Sequence, residues 1–461
     1  MNDLPPPQGK RPFVRRRWLL LLVLLPLALG AIAIAVLGFT EYRSARAVTA
    51  EIARLQAAGE PVDNESLARW FQANTSQAGT AAWREILVAV EHVSSGEAVN
   101  SFPFIGTGEL PKDLVPGGDW PDEPRIAEFL QEVRPLIAQI ERAGQYPTPV
   151  WQPIVFDSFA TLLPELQASR AIVRLLRLEV EHALYHRDTE RALRGLAAME
   201  NRAAAFAWDF CMVPDLFGIA LRTVHRDAIR QSLAETAWEP SQLDQLLAQV
   251  AAPRDVTTRW QRIIAGERAM TLALLRGNRE DRDAMLQQER AGFSSALLLI
   301  PSGTQRYLDR MAAIQQIGAD GVLGMTARAR ALEKEIEPKK GSISDILTSL
   351  LMPAVAAAAQ AYEREELDRR LTRTALGIKR YRQSEGRWPA KLGDLAAVGL
   401  EAKDWTALHA GPFGYRIEPD GVVLWGYAAH DRESPARIGS EPPSEKDVTT
   451  KSSLWYVTRI R

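Results

Sequence analysis

The pattern of apolar and polar positions divides the chain into three regimes. In the first, Trp18 to Thr40 runs twenty-three residues without a charge. At about 1.5 Å rise per residue such a helix crosses a hydrocarbon core about 30 Å thick, so the run predicts a transmembrane helix over 18–40. Pro26 is tolerable inside it, because neighbouring groups can satisfy the carbonyl that a proline frees. The second regime carries the 3.6-residue period of amphipathic helices. Glu41 to Ala58 reads as a polar helix ended by Gly59-Glu60-Pro61, and Asp63 or Asn64 can cap a successor bearing Leu67, Trp70 and Phe71 on one face. Trp83, Ile86, Leu87 and Val90 mark another. Prolines and glycines then interrupt the pattern from Ser101 to Pro124 and again from Gln145 to Pro153, which predicts two long loops.

Helical spacing returns from Leu162 and persists to about Arg373. Ile172, Leu175, Leu176, Val180 and Leu184 share a face, and Ala192, Leu193, Leu196 and Met199 share the next. The turn His186-Arg187-Asp188 between them, with Asp188 as N-cap, predicts an αα-hairpin of antiparallel neighbours. Glu239-Pro240-Ser241 opens a further helix. Strand-like alternation is absent from this stretch. Ile346 to Tyr362 is uncharged for seventeen residues and reads as a core helix, the alternative being a second membrane span.

The third regime starts beyond Glu363. A charged helix passes through Leu371, Ala375, Ile378 and Tyr381 and ends near Gly386-Arg387-Trp388-Pro389. Two short strand-like runs, Tyr415 to Ile417 and Val422 to Trp425, flank Pro419-Asp420-Gly421, a strong hairpin turn because glycine supplies positive φ. Leu454 to Thr458 is a candidate third strand after the polar loop Ser434 to Ser453. The predicted fold class is therefore mainly α: an N-terminal transmembrane helix, a large helical domain with an αα-hairpin, and a small C-terminal α+β module with a short antiparallel sheet. The expected divisions are a tail over 1–17, the anchor over 18–40, membrane-proximal helices over 41–100, Pro/Gly-rich loops with a helix over 101–160, a helical domain over 161–373 and the module over 374–461.

Charge orients the anchor. Lys10, Arg11, Arg15, Arg16 and Arg17 precede it with only Asp3 as an acid, whereas the residues just after it are nearly balanced. Basic residues stay on the cytoplasmic side, so 1–17 should be cytoplasmic and the bulk of the chain extracytoplasmic, single-pass, on a bacterial inner membrane. Cleavage as a signal peptide at Ala45-Arg46-Ala47 is the alternative, but the apolar region exceeds the usual length of about 7–15 residues. Net charge of −1 removes any global attraction to nucleic acid. The expected partners are the lipid bilayer, through 18–40, and an envelope protein. Cys211, the lone cysteine, excludes an internal disulfide and reads as a buried structural thiol.

The segment Ala375 to Leu395 resembles the periplasmic part of type II secretion major pseudopilins. In those proteins a helix ends in a Tyr…Gly-x-Tyr/Trp-Pro segment followed by a Leu-rich turn and a short antiparallel sheet. Tyr381, Gly386, Trp388, Pro389, Leu392 and Leu395 occupy those places. The resemblance implies a helix-plus-meander tail. It departs in two respects: a long helical stretch separates anchor from tail, and no Gly-Asp-rich calcium loop surrounds Asp431 and Glu433. The whole chain also resembles a family of bacterial envelope proteins that join a signal-anchor, a helical domain with a Gly-Glu-Arg-Ala segment (here Gly266 to Ala269) and this tail. That resemblance implies architecture and no activity.

Among residues that carry chemistry, His182 and His186 lie four apart and share a helix face, with Glu179 one turn below. Together they are the candidate metal ligands. Ala183 stands where an HExxH motif would put its glutamate, and histidines at a helix C-terminus also interact with its dipole. No nucleophile elbow, Walker loop or paired CxxC is present, and Gly106-Thr107-Gly108 is too short for a phosphate loop. His225 reads as a surface or satisfied interior histidine. His430 to Glu433 reads as solvated turn, Arg364 to Arg382 as a solvated, sign-balanced helix face, and the tail aromatics as core. No catalytic residue and no cofactor is expected. The sequence thus favours a non-catalytic interaction or scaffold protein. The alternatives are a metal-dependent enzyme on His182 and His186, and an accessory component of a secretion or pilus-like machine.

Overall fold

The uncharged run belongs to one continuous helix, α1 (Phe13–Ala57), which passes from apolar to polar composition without a break. The computed structural model describes residues 13–73, 75–94, 96–112, 114–146, 154–157, 161–163, 165–206, 210–250, 255–276, 301–336, 346–408, 411–427 and 455–460. Large apolar side chains from Leu25 to Phe39 are exposed along α1, whereas Ser44 and Leu55 near its far end are buried. Leu27–Ala57 is the one described helix long and apolar enough to cross a membrane.

The helices that follow are α2 (Asn64–Ala73), α3 (Gln77–Ser94), α4 (Glu123–Glu132), α5 (Arg134–Ala143), α6 (Glu165–Tyr185), α7 (Thr189–Ala205), α8 (Met212–Glu235), α9 (Pro240–Gln249), α10 (Val256–Arg276), α11 (Pro301–Gln316), α12 (Met325–Ile336) and α13 (Ile346–Glu385). The caps that the sequence predicts are in place. Asp63 Oδ1 accepts the Ser66 amide at 2.8 Å, and Asp188 Oδ1 accepts the Arg191 amide at 3.0 Å. Helices α6 and α7 form the expected hairpin, their facing residues Leu176, Val180, Ala192 and Leu196 all buried. A strand pair β1 (Thr406–Ala407) and β2 (Gly411–Pro412) precedes a sheet of β3 (Gly414–Glu418), β4 (Gly421–Tyr427) and β5 (Trp455–Ile460), antiparallel in the order β3-β4-β5. Glu418 pairs with Gly421 across the predicted turn.

Helix α13 is the spine. Its early residues Met352, Val355, Ala358, Ala359 and Tyr362 enter a core shared with the end of α1, α10, α11 and α12. Its later residues Leu367, Leu371, Ala375 and Ile378 enter a larger core that holds α3 to α9 together with Phe413, Val422, Leu424 and Ile460 of the tail. From Met352 onward, the uncharged stretch that ends at Tyr362 is thus core helix. The expected boundary at 373/374 falls in mid-helix, because one apolar face serves both the helical body and the sheet.

One expectation is overturned. The charges of 364–382 do not form a solvated face: Glu365, Glu366, Asp368 and Arg369 are all buried. Arg222, Arg226 and Arg230 of α8 run along them, pairing with Glu365 and Asp368, and Arg230 also donates to Thr372 Oγ1 at 2.6 Å. Arg259 of α10 joins through Glu365 at 2.9 Å and through Asp215, whose other oxygen accepts from the Tyr362 hydroxyl. A balanced sign pattern on one helix reads as solvated, but a complementary row of three arginines on α8 makes burial tolerable.

The loops behave as packing. Residues 101–121 are pinned by buried Phe102 and Trp120, and a Cβ on Gly106 or Gly108 would collide with the backbone of Asn100 or Ser101. The glycines there serve close approach of two backbones. The 147–153 part of the second loop and the polar loop Ser434 to Ser453 lie outside the described residues, as do residues 1–12 of the basic tail.

Candidate functional site

Helix α6 delivers His182 in its last turn and His186 just beyond its end, so both imidazoles point to one side. The start of α4 brings Glu123 to them. His182 Nε2 lies 3.1 Å and His186 Nε2 2.8 Å from Glu123 Oε1, and the two rings are 4.6 Å apart between centroids. Trp120 and Tyr185 close one side of the group, and the Tyr185 hydroxyl donates to the Gly118 carbonyl at 2.7 Å. His182 is buried, whereas His186 is about half exposed, with 47% of its side chain accessible.

Electrostatics assign the protons. An Arg191 N–H donates to His182 Nδ1 at 2.6 Å, so the single proton of a neutral ring sits on Nε2 and points at Glu123. Burial first, and then the Arg191 guanidinium, push His182 down to about 4. Burial alone would raise Glu123, but hydrogen bonds from His186 and His182 outweigh it and hold the carboxyl below its usual range.

Glu179, expected one turn below the histidines, faces elsewhere. Its Oε1 accepts from Arg134 at 2.6 Å and lies 3.3 Å from Arg191 Nε. The third member of the group is Glu123, more than fifty positions away in sequence. Its local signal is an acid in the first turn of a proline-opened helix, which predicts dipole stabilisation and says nothing of the histidines.

A second feature is a cleft of about 480 Å³ where four parts of the chain meet. Leu110, Leu114 and Val115 of the first Pro/Gly-rich loop form one wall, Glu181, Leu184 and Tyr185 of α6 a second, Asp227 to Thr236 of α8 a third, and Thr458 and Arg459 of β5 the fourth. Strand β5 is an outer strand of its sheet. The hydroxyl of Thr458, a buried residue, has no hydrogen-bond partner among the described residues. Tyr185 is common to the cleft and to the histidine group.

The remaining candidates are structural. Cys211 is buried at the N-cap of α8. His225 is fully buried, its Nε2 3.2 Å from Gln249 Oε1, and burial lowers its pKa. Trp425, Phe413 and Tyr381 of the tail are core, and the Tyr415 hydroxyl donates to the Pro389 carbonyl. His430 to Glu433 lie outside the described residues. The Gly-Glu-Arg-Ala segment is a lock: Gly266 lies against the Phe210 carbonyl, Glu267 accepts the Met212 amide at the start of α8 at 2.9 Å, Arg268 pairs with Glu60, and Ala269 is buried.

No protein-family description matches this sequence, and no curated protein or solved structure proves similar to it.

Proposed function

We propose that the protein is a non-catalytic, membrane-anchored scaffold that holds an extended segment of an envelope protein in the cleft between its helical body and its tail sheet. The anchor over 18–40 sits in the inner membrane with the N-terminus cytoplasmic, and the rest of the chain is extracytoplasmic. The observation that carries the reading is the cleft itself. It combines an apolar wall, charged residues of both signs on the others and the outer strand of a sheet, where an added strand gains main-chain hydrogen bonds and side-chain pockets give selectivity. A fit to an accessory role beside a pseudopilin-like machine rests on the Ala375 to Leu395 resemblance alone.

The site chemistry supports the non-catalytic reading. A general base needs a pKa near the working pH and a pocket beside it. His182 is held near 4, and neither imidazole is among the residues that line the cleft. A photo-crosslinking residue at Val115, on the cleft wall and about half exposed, tests the reading in intact cells. One at Val88 on α3, also exposed and outside the cleft, is the control. A discrete envelope protein captured from Val115 and absent from Val88 is the expected result. Equal capture from both positions, or none from Val115, would sink it.

A further inference from the structure

We propose that Glu123, His182 and His186 form a binding site for one divalent transition-metal ion of the zinc class. The ion would clamp the start of α4, and with it the loop that walls the cleft, onto the end of α6. The site is independent of what the cleft holds.

Four observations converge on it. The donor set, two imidazoles and one carboxylate, is what a borderline ion such as zinc selects. The spacing is right: with bonds of about 2.0–2.1 Å, a tetrahedral ion holds its ligand atoms about 3.3 Å apart. Here the carboxylate oxygen lies 3.1 and 2.8 Å from the two nitrogens, and all three atoms lie within 4.8 Å of one another. An opening of a few tenths of an ångström brings both oxygen–nitrogen distances to that spacing. The place is favourable as well, because the C-terminal end of a long helix carries partial negative charge and attracts cations. Half-exposed His186 gives a route from solvent and leaves room for a water ligand.

Arg191 is the switch. Its N–H on His182 Nδ1 keeps the ring proton on Nε2, the nitrogen that must bind the ion. Binding therefore moves that proton from Nε2 to Nδ1 and turns the guanidinium away. The structure has a destination ready. Arg191 Nε and Glu179 Oε2 are both buried without a hydrogen-bond partner among the described residues, and Arg191 Nε is already 3.3 Å from the other Glu179 oxygen. A swing of Arg191 into paired contact with Glu179 satisfies both orphaned atoms and frees Nδ1 to carry the proton. Glu179 is thereby a positioning residue for the site and not a ligand.

The test is zinc titration of the full-length protein in detergent, without a polyhistidine tag. Thermal melts of each variant accompany it, to confirm folding. Wild type should take up one zinc per chain. His186→Ala, a change at an exposed position, should weaken binding at least tenfold, and Glu123→Gln likewise. Arg191→Met should tighten binding several-fold, because nothing then holds the proton on Nε2. Absence of stoichiometric zinc in wild type, or His186→Ala binding as tightly as wild type, overturns the site. Unchanged or weaker binding by a folded Arg191→Met overturns the switch.

Discussion

Glu267 shows how much of a fold one residue of the Gly-Glu-Arg-Ala segment can carry. It is buried, and burial raises its pKa although the Met212 amide partly offsets the effect. A carboxyl raised by folding holds its proton to higher pH in the native state than in the unfolded chain. Stability then falls as pH climbs from the unfolded range, near about 4.3, through the folded value. Glu267→Gln keeps an acceptor for Met212 and removes the charge. Its melting temperature should exceed that of wild type at pH 8, and the gap should close towards pH 4. A gap that is constant with pH would mean the carboxyl is not the cause. Beside it, Gly266 was visible in the sequence as the first residue of that segment, without a sign of what it packs against. Its purpose is the Phe210 carbonyl, 1.6 Å from where a Cβ would sit, and that contact joins α10 to the residues just before α8.

At the scale of elements, the pairing of α8 with α13 is decided by ions as much as by apolar faces. Arg230 and Asp368 form the last rung of that row of charges, both buried. Removing one partner strands the other charge, whereas replacing both by apolar residues removes the penalty as well as the attraction. Denaturant unfolding of Arg230→Met, Asp368→Leu and the double variant should give a coupling energy of about 1–3 kcal/mol, the singles costing more together than the double. Additivity within error would show that Arg226, Asp227 and Thr372 take over the contacts. The helices themselves were legible from their period, and so were the caps at Asp63 and Asp188, because each depends on residues within one turn. The ladder was not, since alternating charge on a helix has the same pattern whether water or a second charged helix faces it.

At the scale of the whole molecule, the apolar N-terminal helix and the body are one piece. Helix α1 continues into the second core through Leu55, and Glu41 at the end of the apolar run accepts the Ser302 amide and hydroxyl at the start of α11. The body therefore adjoins the end of the anchor with no flexible tether between them. The proposed topology predicts that a reporter active only outside the cytoplasm works when fused after Ala58 and when fused after Arg461. Silence at both positions would reverse the anchor. Activity after Ala58 alone would contradict the core assignment of α13 and put the tail inside.

Sequence alone determined the properties that depend on neighbours within a few turns. These are the apolar anchor and its basic flank, the helical period, the α6–α7 hairpin, and the Pro-Asp-Gly turn between β3 and β4. It also brought His182 and His186 to one face, because four residues make about one helical turn. Tertiary structure alone supplied Glu123 and turned Glu179 away towards Arg134. It buried the charges of α13 and fused the tail to the body through one shared helix. Each of these is a contact between residues distant in the chain, and the energy that selects it comes from burial and charge pairing that local pattern does not encode.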